Sequence, residues 1–316
     1  MGGASQAALP VVARVALLTG TLGAEDAKGI ARRLVVRGPI YAGDTLQSGP
    51  SGFAVIAFRD DSRVTLGADT RFKVEDFRYE PQASGIGGAV LRLVQGRMRA
   101  VTGLLARRSP ASVRYETIVA TIGIRGTGFD VSCIGRCAAG NREPVASGGE
   151  QQAGDGLYVH AWQGALDLSH DGQTLPIDEP QTAYLASGTA VSVLLSAQPA
   201  FIRDNPDPRP DQVPIQMQDL FGSSERDPAT PGLYVLVHDG HVTLEQGGRV
   251  LELGGGESGY ADPAGRFLER LSAPPVFIEL DRIPRPGQFD ERGRRLIESL
   301  DVQRPGEARD LECEIR

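Results

Sequence analysis

Four histidines (His160, His170, His238, His241) and three cysteines (Cys133, Cys137, Cys313) are all the imidazole and thiol chemistry this 316-residue chain holds. None stands in a catalytic spacing: there is no G-x-x-x-x-G-K-[ST], no H-E-x-x-H and no G-x-S-x-G. Carboxylates could still do acid–base work, but a hydrolase would need two of them about 5–10 Å apart on adjacent layers, and no pattern pairs them. His238-Asp239-Gly240-His241 spans a tight turn, where surface histidines are a simpler reading than a metal site. The expectation is no catalytic residue, no metal and no cofactor.

Cys133-Ile-Gly-Arg-Cys137 closes a small loop. In an oxidising compartment the pair forms a local disulfide. In a reducing one it is two free thiols, or half a zinc site needing Cys313 and a distant histidine; the usual doubled spacing is missing. The disulfide is the preferred reading. Cys313 is left free or available to another chain.

The elements that would position these residues are strands. Gly and Pro number 40 and 21, a density of breakers that disfavours helices and suits short strands joined by turns. Residues 11–18, 54–58, 64–66 and 72–77 read as strands, with the Asp60-Asp61-Ser62 turn joining the second and third. Residues 90–94 and 97–101 read as a hairpin about Gln95-Gly96, 158–162 and 165–168 as one about Gln163-Gly164, and 234–238 and 241–244 as one about Asp239-Gly240. Residues 132–155 are small, polar and Gly-rich, hence a surface loop. Phe289, Arg292, Leu296 and Leu300 fall at helical spacing, which predicts one helix over 287–300.

The chain repeats itself. Residues 156–210 align with 232–286 at an offset of 76 with no gap and 18 identities in 55 positions, including Gly156-Leu157-Tyr158-Val159 with Gly232-Leu233-Tyr234-Val235 and Tyr184 with Tyr260. Two copies of one fold are expected. The uncharged stretch 180–202 is then no membrane span, because its counterpart 256–278 carries Glu257, Asp262, Arg266, Glu269 and Arg270. Between the copies, residues 201–231 form a Pro-rich linker or an arm lying over the surface. Residues 1–10 lack the basic and apolar regions of a signal peptide and read as what remains after a leader is trimmed. A net charge of −7 and a pI near 5.3 argue against a nucleic-acid partner.

Residues 121–131, Thr-Ile-Gly-Ile-Arg-Gly-Thr-Gly-Phe-Asp-Val, resemble the signature of the FecR domain family. Three further steps agree in order: Gly43-Asp44-Thr45-Leu46-Gln47-Ser48-Gly49, Phe58 to Leu66 around Asp60-Asp61-Ser62, and Leu93-Val94-Gln95-Gly96-Arg97-Met98-Arg99. The resemblance covers residues 11–195 and implies an extracytoplasmic, non-enzymatic, all-β domain. Founding members of that family sense outer-membrane receptors and control a sigma factor through a membrane helix and a cytoplasmic tail.

The expected architecture is all-β: a solenoid-like or sandwich stack of short hairpins, with residues 11–200 as the FecR-like domain, loop 132–155 inserted, a second repeat at 232–286, and a helix and tail at 287–316. Arg125, Gly126, Thr127 and Gly128 are the structural signature. Arg125, between apolar neighbours, reads as a buried guanidinium paired to a carboxylate and holding strands in register. Trp162, Tyr158 and Tyr234 are the binding candidates, through aromatic stacking on a glycan or at an interface. The expected function is a periplasmic or secreted bacterial module that binds a protein partner or itself through β-edges and loops. The alternatives are a peptidoglycan-binding module and an envelope signalling regulator.

Overall fold

The computed structural model describes residues 10–80, 87–137, 154–189, 191–224, 230–238, 240–275 and 277–278. Two compact units divide the chain, Met1–Gly222 and Ser223–Arg316. The first unit opens with β1 (Val11–Glu25), β2 (Ala31–Leu34), β3 (Pro39–Tyr41), β4 (Thr45–Phe58) and β5 (Arg63–Leu66). It continues with β6 (Arg71–Arg78), β7 (Gly88–Val101), β8 (Val113–Thr117), β9 (Thr121–Ile124) and β10 (Gly128–Ile134). It closes with β11 (Gly156–Gln163), β12 (Ala165–His170), β13 (Gln173–Asp178), β14 (Thr182–Ala186) and β15 (Ser192–Leu194). The second unit holds β16 (Leu233–Leu236), β17 (His241–Gln246), β18 (Arg249–Gly254), β19 (Ser258–Ala261) and β20 (Leu268–Leu271). Helices among the described residues are single turns, such as Leu104–Arg108. The protein is all-β, as its glycine and proline content implies.

Alternation of apolar and polar residues selects the buried face of each strand. Phe72, Val74 and Phe77 of β6 point inward between exposed or half-buried neighbours. Phe58 stacks on Phe77 at 5.1 Å between ring centroids, and Tyr115 meets Phe129 edge-on at 4.9 Å. One continuous core with Leu46, Ile56, Leu91, Val131 and Leu166 fills the first unit.

A single sheet encloses that core by bending at glycines. Residues 88–101 form one continuous strand and not the hairpin predicted about Gly96. Gly96 has φ +87°, and a Cβ there would lie 2.7 Å from the Thr70 backbone. It marks a corner: the part before it pairs with β6 and the part after it with β5. β1 likewise runs on past Gly20, where the sequence reading ended it. Gly20 faces Gly52 across the ladder, both with positive φ, so two strands turn the same corner together.

The step at Gln163-Gly164 is also no hairpin. β11 pairs with β10 and β14, whereas β12 pairs with β9 and β13. The ladder runs β13-β12-β9-β8-β7-β10-β11-β14-β15, so two strands joined by one short link stand far apart in the sheet. That is possible only because the sheet wraps round its core, with Gly164 (φ +73°) carrying the chain across. Among the described residues all ladders are antiparallel except β7–β8, so the stack is a folded sheet and not the parallel rungs of a coil. β10 also runs through Ile134, into the stretch read as loop from 132; residues 138–153 and the predicted helix at 287–300 lie outside the described residues.

The second unit has β16-β19-β20 and β17-β18 as separate small sheets, on a core of Val237, Leu244 and Leu253. Its contacts follow those of the first at an offset of 76. Tyr158 faces Tyr184 in the β11–β14 ladder and meets Phe201 edge-on at 5.1 Å. Tyr234 faces Tyr260 in the β16–β19 ladder and meets Phe277 edge-on at 5.3 Å. The Tyr158 hydroxyl donates to the Gly154 carbonyl, and that of Tyr234 to the Thr230 carbonyl. The Tyr184 and Tyr260 hydroxyls donate to Asp155 and Pro231.

Candidate functional site

Residues 125–127 join β9 to β10, which Gly128 opens. The Arg125 Nε and Nη2 donate to Asp167 Oδ2 at 3.0 and 2.7 Å, tying β9 to β12. The pairing to a carboxylate is as the sequence reads, but the burial is not: the Arg125 side chain is 63% exposed. β9 is short and its end lies at the surface, so the guanidinium reaches its partner from the solvent side. Thr127 is buried, its N–H donating to Thr102 Oγ1 while its carbonyl accepts from the Thr102 N–H. Gly128 lies under Trp162; a Cβ there would meet the six-membered ring at 2.0–2.5 Å. The second glycine of the signature thus makes room for the indole.

Across β5, β7, β10, β11 and β14 runs a cross-strand row: Thr65, Arg99, Asp130, His160, Thr182. These residues share the outer face of strands whose inner face is apolar. Arg99 donates to Asp130 from Nε at 2.9 Å and Nη2 at 3.2 Å, and Trp162 Nε1 donates to Asp130 Oδ1 at 3.1 Å. Burial pushes the Asp130 carboxyl above its usual range, against the opposing pull of Arg99, the Trp162 hydrogen bond and nearby His160. His160 Nδ1 lies 3.1 Å from the Gln181 carbonyl and 3.0 Å from the Thr182 hydroxyl. Burial holds the His160 imidazole below its ordinary value, though Asp130 and the Gln181 carbonyl favour the charged form.

A strap of residues 200–213 covers this row. Phe201 packs on Tyr158, Asp207 pairs with Arg97 at 2.7 Å, and the Asp207 carbonyl accepts from Arg99 at 2.7 Å. The Pro208 carbonyl accepts from Thr65, and the Val213 carbonyl from Arg63. Arg209 lies 3.7 Å from the Trp162 ring centroid. The segment read as a linker or an arm over the surface is, through residue 213, an arm bonded to the first unit's strands. Trp162 is therefore held among Gly128, Asp130 and Arg209.

Tyr158 and Tyr234, the other binding candidates, each belong to an aromatic triad. Burial and the neighbouring Tyr184 push the Tyr158 phenol up to about 12. Cys133 and Cys137 form the disulfide, with 5.1 Å between their Cα atoms and both residues buried. A cavity of about 370 Å³ beside Cys137 includes His170 and Asp171 in its wall. His170 is occupied by the Val119 and Thr189 carbonyls. Among the described residues no group of three or more His, Cys, Asp or Glu could hold a metal, and no helix is long and apolar enough to cross a membrane.

The sheet's ends differ from this consumed interior. β15 pairs with β14 alone among the described residues. Val191, just before it, and Val193 and Leu194 within it are 58, 46 and 42% exposed. An edge strand with uncovered apolar side chains is a place where another strand can add. Sequence reasoning missed this patch, although the charge-free run 180–202 was its signal. It also missed Arg99, Asp130, His160 and Asp207, which reveal themselves only once strands distant in sequence lie side by side.

Residues 44–141 match the FecR family, described as FecR protein. No curated protein is a match. Two crystal structures of a "putative anti-sigma factor" from Parabacteroides distasonis ATCC 8503 are similar, at 11% identity and TM-scores of 0.33 and 0.34. The match covers 48% of this chain and 58% of theirs, so the chain spans less than two thirds of their length. A solved "Cell surface anchoring domain" is 31% identical over 20% of this chain and 82% of its own, with a TM-score of 0.19.

Proposed function

We propose, from the premise that residues 44–141 are a FecR domain of an envelope-associated signalling family, that this chain is a non-enzymatic scaffold docking a protein partner in the bacterial envelope. The observation carrying this reading is the edge strand β15, which pairs with β14 alone among the described residues and has Val193 and Leu194, with Val191 just before it, half-exposed. Full burial of a Val or Leu side chain is worth about 1.5–3 kcal/mol, so covering three half-exposed ones supplies about 3 kcal/mol before any backbone pairing. Backbone hydrogen bonds along the edge add affinity, and the side chains set which strand fits. No bond is made or broken. The disulfide supports an oxidising compartment, periplasmic or secreted.

Val193→Asp tests this. It places a charge on the edge without touching the core, so unfolding should stay within about 0.5 kcal/mol of wild type. Association with the partner in envelope extracts, read by co-purification and a shift in size, should be lost. An unchanged set of co-purifying proteins would remove β15 as the docking edge. The glycan-binding alternative gains no support, because Trp162 is already engaged on both Asp130 and Arg209.

A further inference from the structure

The two repeats differ in their ladder partners: β11 pairs with β10 as well as β14, whereas its counterpart β16 pairs with β19 alone among the described residues, and β12 and its counterpart differ in the same way. In the first copy, β12 has ladder partners on both sides: β13 through the Asp171-Gly172 turn, and β9. Ile124 and Ile122 of β9 stand opposite Leu166 and Leu168, extending the inner apolar face by one strand. The Arg125 N–H donates to the Ala165 carbonyl, and Gly123 faces Asp167 in the same alternation.

In the second copy, β17 takes the place of β12. It pairs with β18 through the Gly247-Gly248 turn, with Gln246 and Arg249 closing the hairpin. No strand among the described residues stands where β9 stands in the first copy. The same alternation turns the backbone groups of His241, Thr243 and Glu245 away from β18, and all three residues are exposed. Inward, Val242 and Leu244 occupy the positions of Leu166 and Leu168, packed with Val237 and Leu253. The second copy thus keeps the seat that β9 fills in the first, apolar on its inner side and with ladder positions along its edge that pair with no described strand.

We infer that the open edge of β17 accepts an extended strand of a protein partner, carrying branched apolar side chains two residues apart with glycine between them, as β9 does in the first copy. The inference rests on the docking reading above but uses a different edge on a different unit. The Ile-Gly-Ile pattern fits because its two branched side chains would flank Val242 and Leu244, while glycine leaves room on the outer face beside Thr243, whose hydroxyl donates to Glu252. The incoming donors would be the N–H groups two residues apart that β9 directs at β12.

The test uses the full chain and, as probe, a labelled peptide with the sequence of residues 117–126. Anisotropy should show saturable binding that a scrambled peptide lacks. Thr243→Pro, which removes the central edge donor, should weaken it on the order of 10-fold. Replacing the peptide's central glycine (the Gly123 position) by N-methylglycine should weaken it at least about fivefold, with the protein untouched. Hydrogen exchange should slow at the His241, Thr243 and Glu245 amides when peptide is added. Binding that survives both changes, or the absence of binding, overturns the inference. So do edge amides already protected in the free monomer, or protected only through dimerisation of the chain. Val193→Asp should leave peptide binding intact, so loss of the β15 partner and loss of this site are read separately.

Discussion

Asp130→Ala is the sharpest probe of the polar row under the strap. Side-chain exposure is 12% for Arg99 and 4% for Asp130, and the guanidinium meets both carboxylate oxygens. Deleting the carboxylate leaves a nearly buried cation with the Asp207 carbonyl as its remaining acceptor, and strips Trp162 Nε1 of its acceptor. Breaking a buried pair by removing one partner costs about 3–5 kcal/mol. That is a large part of the roughly 5–15 kcal/mol that holds a domain folded. For a unit of this size each kcal/mol moves Tm by about 2–4 °C, so calorimetry should show a fall of roughly 6–20 °C. The double variant Arg99→Met with Asp130→Leu should recover at least half of the loss, since it leaves no unpaired charge. A single variant within about 1 kcal/mol of wild type would refute the view that this pair anchors strap to sheet.

Three other outcomes follow from the same contacts. Gly128→Ala drives a Cβ into the Trp162 ring and should cost about 1–3 kcal/mol; because Trp162 is the only tryptophan, its emission reports the displacement directly, and an unshifted spectrum would contradict the close approach. Cys133→Ser with Cys137→Ser opens a five-residue loop and should cost about 2 kcal/mol by loop entropy, read from the denaturation midpoint with and without reductant. The folded His160 lies below its ordinary 6.5, so its contribution is fully present above that value and is lost as pH falls through the lowered one. Wild type should therefore lose more stability than His160→Gln between pH 7.5 and 5, and parallel profiles would contradict the assignment.

The strand content and the core were legible because they depend on local alternation and turn residues. Phe72, Val74 and Phe77 announce their buried face, and Asp60 holds its turn as the sequence implies, accepting from the Ser62 N–H and hydroxyl. The corners were not legible. A glycine of positive φ serves a hairpin and a strand bend equally, so Gly96 and Gly164 read as turns where the chain bends or crosses. Arg125 read as buried because its neighbours are apolar, yet sequence neighbours on a strand alternate faces and say little about the strand's end. The row of Arg99, Asp130 and His160 joins residues up to 61 apart, and only the strand order brings them together. Repetition at an offset of 76 was legible, because it needs no pairing to be known.

Photocrosslinking from β15 in the intact envelope bears most directly on the docking account. A benzophenone amino acid in place of Val193 should capture one discrete protein species on irradiation, and the same group at Arg125, exposed at the β9–β10 connection, should capture none of it. Equal, diffuse labelling from both positions, or capture only of glycan, would contradict the account.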